Sequence, residues 1–268
     1  MKRGHIIRTV ASKSRKALFY PTKRKREVLD LLARYFVLRS KDLARLLRNR
    51  EPTPTDIRTI NRTLKILDVA RLVHRLRYLN PENDGVGYAC GLTDAGVRYA
   101  GQGKTFDEHS ERTLDHELGI SFFHLSLQEF CDRRAFALRW QQSDLKHGVN
   151  PDAYFSVTNP AKDGKNTHHF FLEVERAKIG NYKDGEPSIM RKLKRYYEYY
   201  DTHGCEDAWG FRTYRVVTVL RNDERRKNLL HAMHGDLKHR MFWLGVESNH
   251  TADLRTPKGD VFSFADFW

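Results

Sequence analysis

No run of eighteen or more apolar residues occurs in this 268-residue chain, so no segment is offered as a membrane-spanning helix, and no signal peptide is evident. Cysteine is scarce. Its three copies, Cys90, Cys131 and Cys205, are far apart and odd in number, which speaks against both a disulfide framework and a CxxC zinc site. Histidine is plentiful, with pairs at His168-His169 and at His231 with His234, but no third ligand stands at a spacing useful to a transition metal. Acid is in deficit: 34 Asp and Glu face 48 Lys and Arg, for a net charge of +14. These shortages describe a soluble, intracellular, cytoplasmic protein with a polyanionic partner, because counterion release from phosphates supplies much of the affinity for nucleic acid.

The length suits two domains. Residues 1–23 form a basic arm with almost no acid to balance Lys2, Arg3, Arg8, Lys13, Arg15, Lys16 and Lys23. Such an arm is flexible when alone and can track a phosphate backbone. From Glu27 the pattern turns helical, with Val28, Leu31, Leu32 and Tyr35 on one face. Ser40 stands as the N-cap of a short second helix, Lys41 to Leu47, and Pro52 and Pro54 then break the chain. A third helix starts near Thr55 and Asp56 and runs to about Val73, with Ile57, Ile60, Leu64 and Leu67 at helical spacing and Arg58, Asn61, Arg62 and Lys65 on its other face. Strands follow at Val73 to Leu79 and Tyr88 to Leu92, joined by a turn whose Asn83-Asp84-Gly85 favours a tight reversal.

This order, over residues 24–100, resembles a winged helix-turn-helix domain, and Gly91 to Gly96 looks like the strand-to-helix exit of many such regulators. The resemblance implies a recognition helix in the major groove of double-stranded DNA and a wing on the backbone. It assigns Asn61 and Arg62 to base edges and Arg58, Lys65, Arg75 and Arg77 to phosphates.

A polar stretch, 101–112, is the expected linker to a second domain at 113–268. There the spacing predicts a helix over Leu114 to Cys131, strands at Phe136 to Gln142, Ala153 to Thr158 and His169 to Ala177, a helix over Ser188 to Tyr200, and a strand at Tyr214 to Leu220. The last is apolar on both faces and so central. A helix at Asp223 to Met233 and a strand at Arg240 to Val246 complete the pattern. Asp152 heads the second strand, and Glu173 and Glu175 share one face of the third, since side chains alternate along a strand. Carboxylates gathered in this way call for a cation, and a hard divalent ion suits them. The bland alternative is a solvated sheet face where these glutamates pair with Arg176, Arg191 or Lys192.

The helix and strand order, with Asp152 and a Glu-x-Glu, resembles the PD-(D/E)XK nuclease superfamily. With the winged helix in front, the whole chain resembles the replication-relaxation family of plasmid and mobile-element proteins. The fold this implies is α+β: a winged helix-turn-helix followed by a restriction-endonuclease-like α/β domain with a mixed central sheet. The resemblance also implies a magnesium or manganese site made by Asp152 and Glu173, with Glu117 of the first helix completing it. A lysine two residues after the strand acid then helps to activate water.

Here that position holds Glu175, and a carboxylate cannot stabilise developing phosphorane charge as an ammonium can. Glu175 is then either a further metal ligand, or the basic role has moved to Lys192. Lys192 and Tyr196 form a Lys-x-x-x-Tyr that looks like the Gln-x-x-x-Tyr of recombination nucleases, whereas Lys178 is at the wrong spacing for that strand face. The catalytic set is therefore Asp152, Glu173, Glu175 and Lys192. The function implied is DNA binding in plasmid replication or relaxation, nucleoid- or plasmid-associated, with magnesium-dependent nicking. The alternative is a non-catalytic regulator whose nuclease-like domain serves dimerisation or docking, and both a monomer and a homodimer stay open. RNA as the target is a third, weaker reading.

Overall fold

Helix α1 (Lys23–Tyr35) buries Val28, Leu29, Leu32 and Tyr35 along one stripe, which is why the 3.6-residue period is legible there. The structure is a computed structural model, and it describes residues 21–268 apart from 80–85, 107–110, 143–147, 162–165, 177–181, 184–185, 234–236, 238, 249–250 and 268. A three-residue strand, β1 (Val37–Arg39), leads directly into α2 (Ser40–Arg48). Ser40 is not the cap expected of it. Asp42 instead draws in the backbone N–H of Arg39 at 3.2 Å, while the Ser40 hydroxyl turns inward and donates to Asn61 Oδ1 at 2.7 Å.

Helix α3 (Pro54–Val69) opens with a capping box in which Thr53 Oγ1 accepts from Asp56 N at 3.2 Å and Thr53 N donates to Asp56 Oδ2 at 3.0 Å. It ends four residues before the Val73 expected from its periodicity, because Arg71 takes a left-handed φ of 58° and turns the chain into β2 (Val73–Leu79). Strand β3 (Val86–Leu92) pairs antiparallel with both β2 and β1, in the order β1-β3-β2. The expected reversal at Asn83-Asp84-Gly85 lies outside the described residues. Helix α4 (Asp94–Ala100) follows, capped by Thr93, and presses so closely on the chain before β2 that a Cβ at Gly96 would stand 2.0 Å from Leu72 O.

The 24-residue α5 (Glu111–Arg134), about 36 Å long, serves two cores. Leu125 joins Leu29, Leu32 and Leu64 in the first, and Ser121 Oγ donates to Tyr35 O at 2.7 Å. Arg45 of α2 pairs with Glu129. Its opposite side presents Ile120, Phe123, Leu127 and Phe130 to a large sheet. A helix covered on two sides has no single apolar stripe, and the apolar residues of α5 are spread around it.

That sheet begins with β4 (Ala137–Gln141), β5 (Ala153–Thr158) and β6 (Thr167–Glu175), paired antiparallel. A two-stranded hairpin of β7 (Tyr182–Lys183) and β8 (Glu186–Pro187) leads to α6 (Ser188–Asp201) and the short α7 (Gly204–Trp209). Strand β9 (Arg215–Leu220) returns parallel to β6, and α8 (Asp223–Met233) carries the chain to β10 (Phe242–Val246), parallel to β9. Strands β11 (Leu254–Arg255) and β12 (Val261–Phe262), followed by a 3-10 turn at Phe264–Phe267, extend the edge.

The strand order is β12-β11-β10-β9-β6-β5-β4, which makes β9 central as its doubly apolar sequence requires. One sheet face packs on α5 through Phe155, Phe170, Leu172 and Val217, and the other on α6, α7 and α8 through Phe171, Val216, Leu193 and Leu229. The molecule is thus a mixed α+β protein built on a seven-stranded mixed sheet. The short α7, β1, β11 and β12 carry too few residues for periodicity to show.

Candidate functional site

Backbone pairing carries Asp152 into place. Its N–H donates to Leu172 O at 3.0 Å, one rung beyond the first residue of β5, and its side chain emerges on the α6 face beside the C-terminal end of β6. There Asp152 Oδ2 accepts Val174 N–H at 2.7 Å and approaches His116 Nε2 at 3.1 Å. Glu173 lies on the same face of β6 and is 2% exposed. Its Oε1 accepts the Tyr196 hydroxyl at 2.5 Å, and its Oε2 accepts Lys192 Nζ. Lys192 Nζ also lies 3.6 Å from Asp152 Oδ1, so one ammonium spans both carboxylates. Lys192 and Tyr196 reach the same glutamate because residues four apart share a helix face.

Burial and the neighbouring Asp152 charge push the Glu173 carboxyl up to about 8, against the pull of Lys192 and Tyr196. Burial also raises Asp152, but its hydrogen bond from His116, the Lys192 charge and the Val174 N–H outweigh this and hold it below the usual carboxylate range. The two acids are therefore driven apart, Asp152 downward and Glu173 upward. Burial works against the charge on Lys192 and His116. Glu173 and Asp152 more than offset it at Lys192, and Asp152 does so at His116, so both are raised. Burial and Glu173 raise the Tyr196 phenol well above its ordinary value, which keeps it a donor.

The sequence-derived set is thus partly assembled. Asp152, Glu173 and Lys192 come together. Glu175 sits two residues on along the same strand face, half-buried and opposite Leu220 in register, beyond the cluster. Glu117 accepts from Gln142 Nε2 at 3.1 Å. Among the described residues no group of three or more His, Cys, Asp and Glu side chains is arranged to hold a metal ion, so Glu117 does not complete a three-carboxylate cage. Lys178 lies outside the described residues. Of the partners the bland alternative offered, Lys192 does pair with Glu173, on a buried rather than a solvated face, whereas Arg176 does not. It binds Glu247 Oε1 at 2.6 Å and Asp115 Oδ1 at 3.5 Å, on the other side of the sheet. The residue that sequence reasoning missed is His116. It stands one position before Glu117, and only the rotation of α5 over the strand ends decides which of the two meets Asp152.

Asp152 and Glu173 offer carboxylate oxygens, the donors a hard divalent cation takes, but the Lys192 ammonium already spans both. Magnesium is commonly held by one or two carboxylates plus substrate oxygens rather than by a full protein cage. The Glu173 carboxyl is raised first by burial and then by the Asp152 charge beside it. Thr218, opposite Glu173 in register, also has a buried hydroxyl without a hydrogen-bond partner among the described residues.

On α3, Arg58, Arg62 and Lys65 are exposed along one stripe, and Arg77 is exposed on β2. Asn61, expected at base edges, is half-buried with its amide oxygen taken by Ser40. Arg75, expected on phosphate, is half-buried and lies over the Tyr88 ring at 4.0 Å. Among the described residues no helix is long and apolar enough to cross a membrane.

No curated protein and no solved structure matches the chain. A family model described as replication-relaxation matches residues 29–214, a span that runs from α1 to the threshold of β9 and takes in Asp152, Glu173, Lys192 and Tyr196. Because that match covers well over half of its length, the chain belongs to the replication-relaxation family.

Proposed function

We propose that this chain is a DNA-binding protein of plasmid or mobile-element replication. A winged helix-turn-helix formed by α1 to β3 positions duplex DNA, and the site at Asp152, Glu173 and Lys192 nicks the phosphodiester backbone. The observation that carries this reading is the convergence of those three side chains from β5, β6 and α6 on one buried locus with split acidities. Their order along the chain is the one the nuclease superfamily uses.

In this reading α3 enters the major groove, with Arg62 at base edges, Arg58 and Lys65 on flanking phosphates, and Arg77 of the wing on the backbone. Asp152 and Glu173 would hold a magnesium or manganese ion, which when bound supplies Lewis acidity and a more acidic water. His116 fixes the orientation of the Asp152 carboxylate, as Tyr196 does for Glu173. Lys192 keeps its proton and offers a fixed positive charge to the phosphate oxygens as charge develops on them. That is the task for which Glu175, at the position of the missing lysine, is unsuited.

The test is incubation of supercoiled plasmid with the full chain and magnesium or manganese. Open circles should accumulate. Asp152→Ala and Glu173→Ala should abolish nicking while duplex affinity is kept, and Lys192→Ala should slow it by about a hundredfold or more. Tight plasmid binding with no nicking, and no rise in melting temperature on adding magnesium, would sink the enzyme reading. The regulator reading, in which the second unit is a docking platform, would then replace it.

A further inference from the structure

Lys192 and Tyr196 do more than bind Glu173: they also form one wall of a cavity of about 310 Å³ whose other wall is the segment Gly148, Val149 and Asn150. That segment runs through Pro151 into Asp152, and the Lys192 and Tyr196 of its other wall bind Glu173, so the cavity adjoins the carboxylate cluster. Its width is set by a glycine. Gly148 has a φ of +86°, and a Cβ there would stand 2.8 Å from the Tyr199 ring, so no other residue lets the segment approach α6 so closely. Val149, 6% exposed, anchors the segment in the core with Tyr154 and Leu193.

Arg195 also lines the cavity. It follows Lys192 by three positions and therefore projects from the same face of α6, one turn further on. It is exposed, and no hydrogen bond or ion pair among the described residues engages it. Asn150 stands exposed on the facing wall in the same condition. The cavity thus presents an uncommitted guanidinium and an uncommitted amide beside the Lys192 ammonium. No acid lines the cavity among the described residues, and Asp152 is already held by His116, Val174 and Lys192. A guanidinium fork matches two phosphate oxygens at once.

We propose that this cavity is a subsite for the phosphodiester next to the one at Asp152 and Glu173. Arg195 grips its non-bridging oxygens, and the Asn150 amide donates from the opposite wall. The inference rests on the backbone-nicking reading and adds to it a positioning role for two residues outside the reacting cluster. It also sets the axis of the bound strand, which lies along α6 past Lys192 and Arg195.

Affinity of the full chain for a short thymidine oligonucleotide, measured in EDTA by fluorescence anisotropy, tests the subsite without needing chemistry. Arg195→Ala should weaken binding about tenfold and lower the slope of log affinity against log salt by about 0.7 for the lost phosphate contact. Asn150→Ala should weaken it less, and Arg195→Lys should recover part of the loss. Arg62→Ala on α3 should weaken duplex binding but leave the oligonucleotide untouched. In the nicking assay Arg195→Ala should raise KM about tenfold with kcat within about twofold of the parent. Equal melting temperatures confirm that the exposed substitutions leave the fold intact.

Oligonucleotide affinity and KM unchanged in Arg195→Ala would overturn the subsite even if the parent nicks plasmid. If no form nicks plasmid but Arg195 governs oligonucleotide affinity in EDTA, the subsite stands and only the nuclease reading falls.

Discussion

At the scale of single residues, Glu173 concentrates the chemistry of the molecule. Its carboxyl in the folded chain, pushed up to about 8 from an ordinary value of 4.5, binds its proton more tightly than the unfolded chain does. The stability linked to that proton is fully present below about 4.5 and is lost as pH rises through about 8. Glu173→Gln keeps the shape and removes the titration. The melting-temperature advantage of the parent over this variant should therefore shrink steadily from pH 4.5 to pH 8.5 and reverse sign at the upper end. A parallel pair of curves would show that Glu173 does not titrate in this window. Asp152, Glu173 and Lys192 could be named from sequence because they are an acid before a strand, an acid within an apolar strand, and a cation on the next helix. His116 could not, because its role depends on which side of α5 faces the strand ends.

Among the elements, α3 shows how local chemistry sets a boundary. Thr53 and Asp56 close the capping box, and Arg48 and Arg50 reach Asp56 at 2.9 Å and 3.0 Å. The hydrogen bonds from Thr53, with Arg50 adding to them, hold the Asp56 carboxyl down at about 2. Thr53→Ala should lower stability by about 1 kcal/mol, read as a change in urea midpoint. Gly96→Ala should cost about 2 kcal/mol or more, because its methyl would meet Leu72 O, and overpacking against backbone leaves little room to relax. The exposed stripe of α3 has a separate readout. Each of Arg58→Ala, Arg62→Ala and Lys65→Ala should reduce the salt slope of duplex affinity by about 0.9 if it contacts a phosphate. The start of α3 was legible to within a residue from Thr55 and Asp56, although Thr53 as its cap was not, and its end was not, since the left-handed turn at Arg71 leaves no mark in the apolar period.

Over the whole molecule, α5 decides how the parts act together. Ser121 and Leu125 belong to the first core, and Ile120, Phe123 and Leu127 to the second. Unfolding one unit therefore strips a face of the helix on which the other depends. Leu125→Ala should cost about 2 to 5 kcal/mol. It should also move the unfolding of the second unit, followed by tryptophan fluorescence, since all four tryptophans lie between Trp140 and Trp268. Independent transitions, with the fluorescence midpoint unmoved, would show that α5 does not couple the cores. The same helix carries His116 to Asp152, so the joint between the units and the candidate site share one rigid element.

The amino-acid sequence by itself determined the order of the longer helices and strands, the central place of β9, the basic face of α3, and the nearness of Asp152 to Glu173. Each is written in a local period, a cap or an unbalanced charge that neighbours in sequence suffice to express. Only the tertiary structure decided that Lys192 bridges the two acids, that His116 and not Glu117 meets Asp152, and that Ser40 turns inward to hold Asn61. These outcomes depend on the phase of a helix against a sheet edge and on the degree of burial, which chain neighbours do not encode.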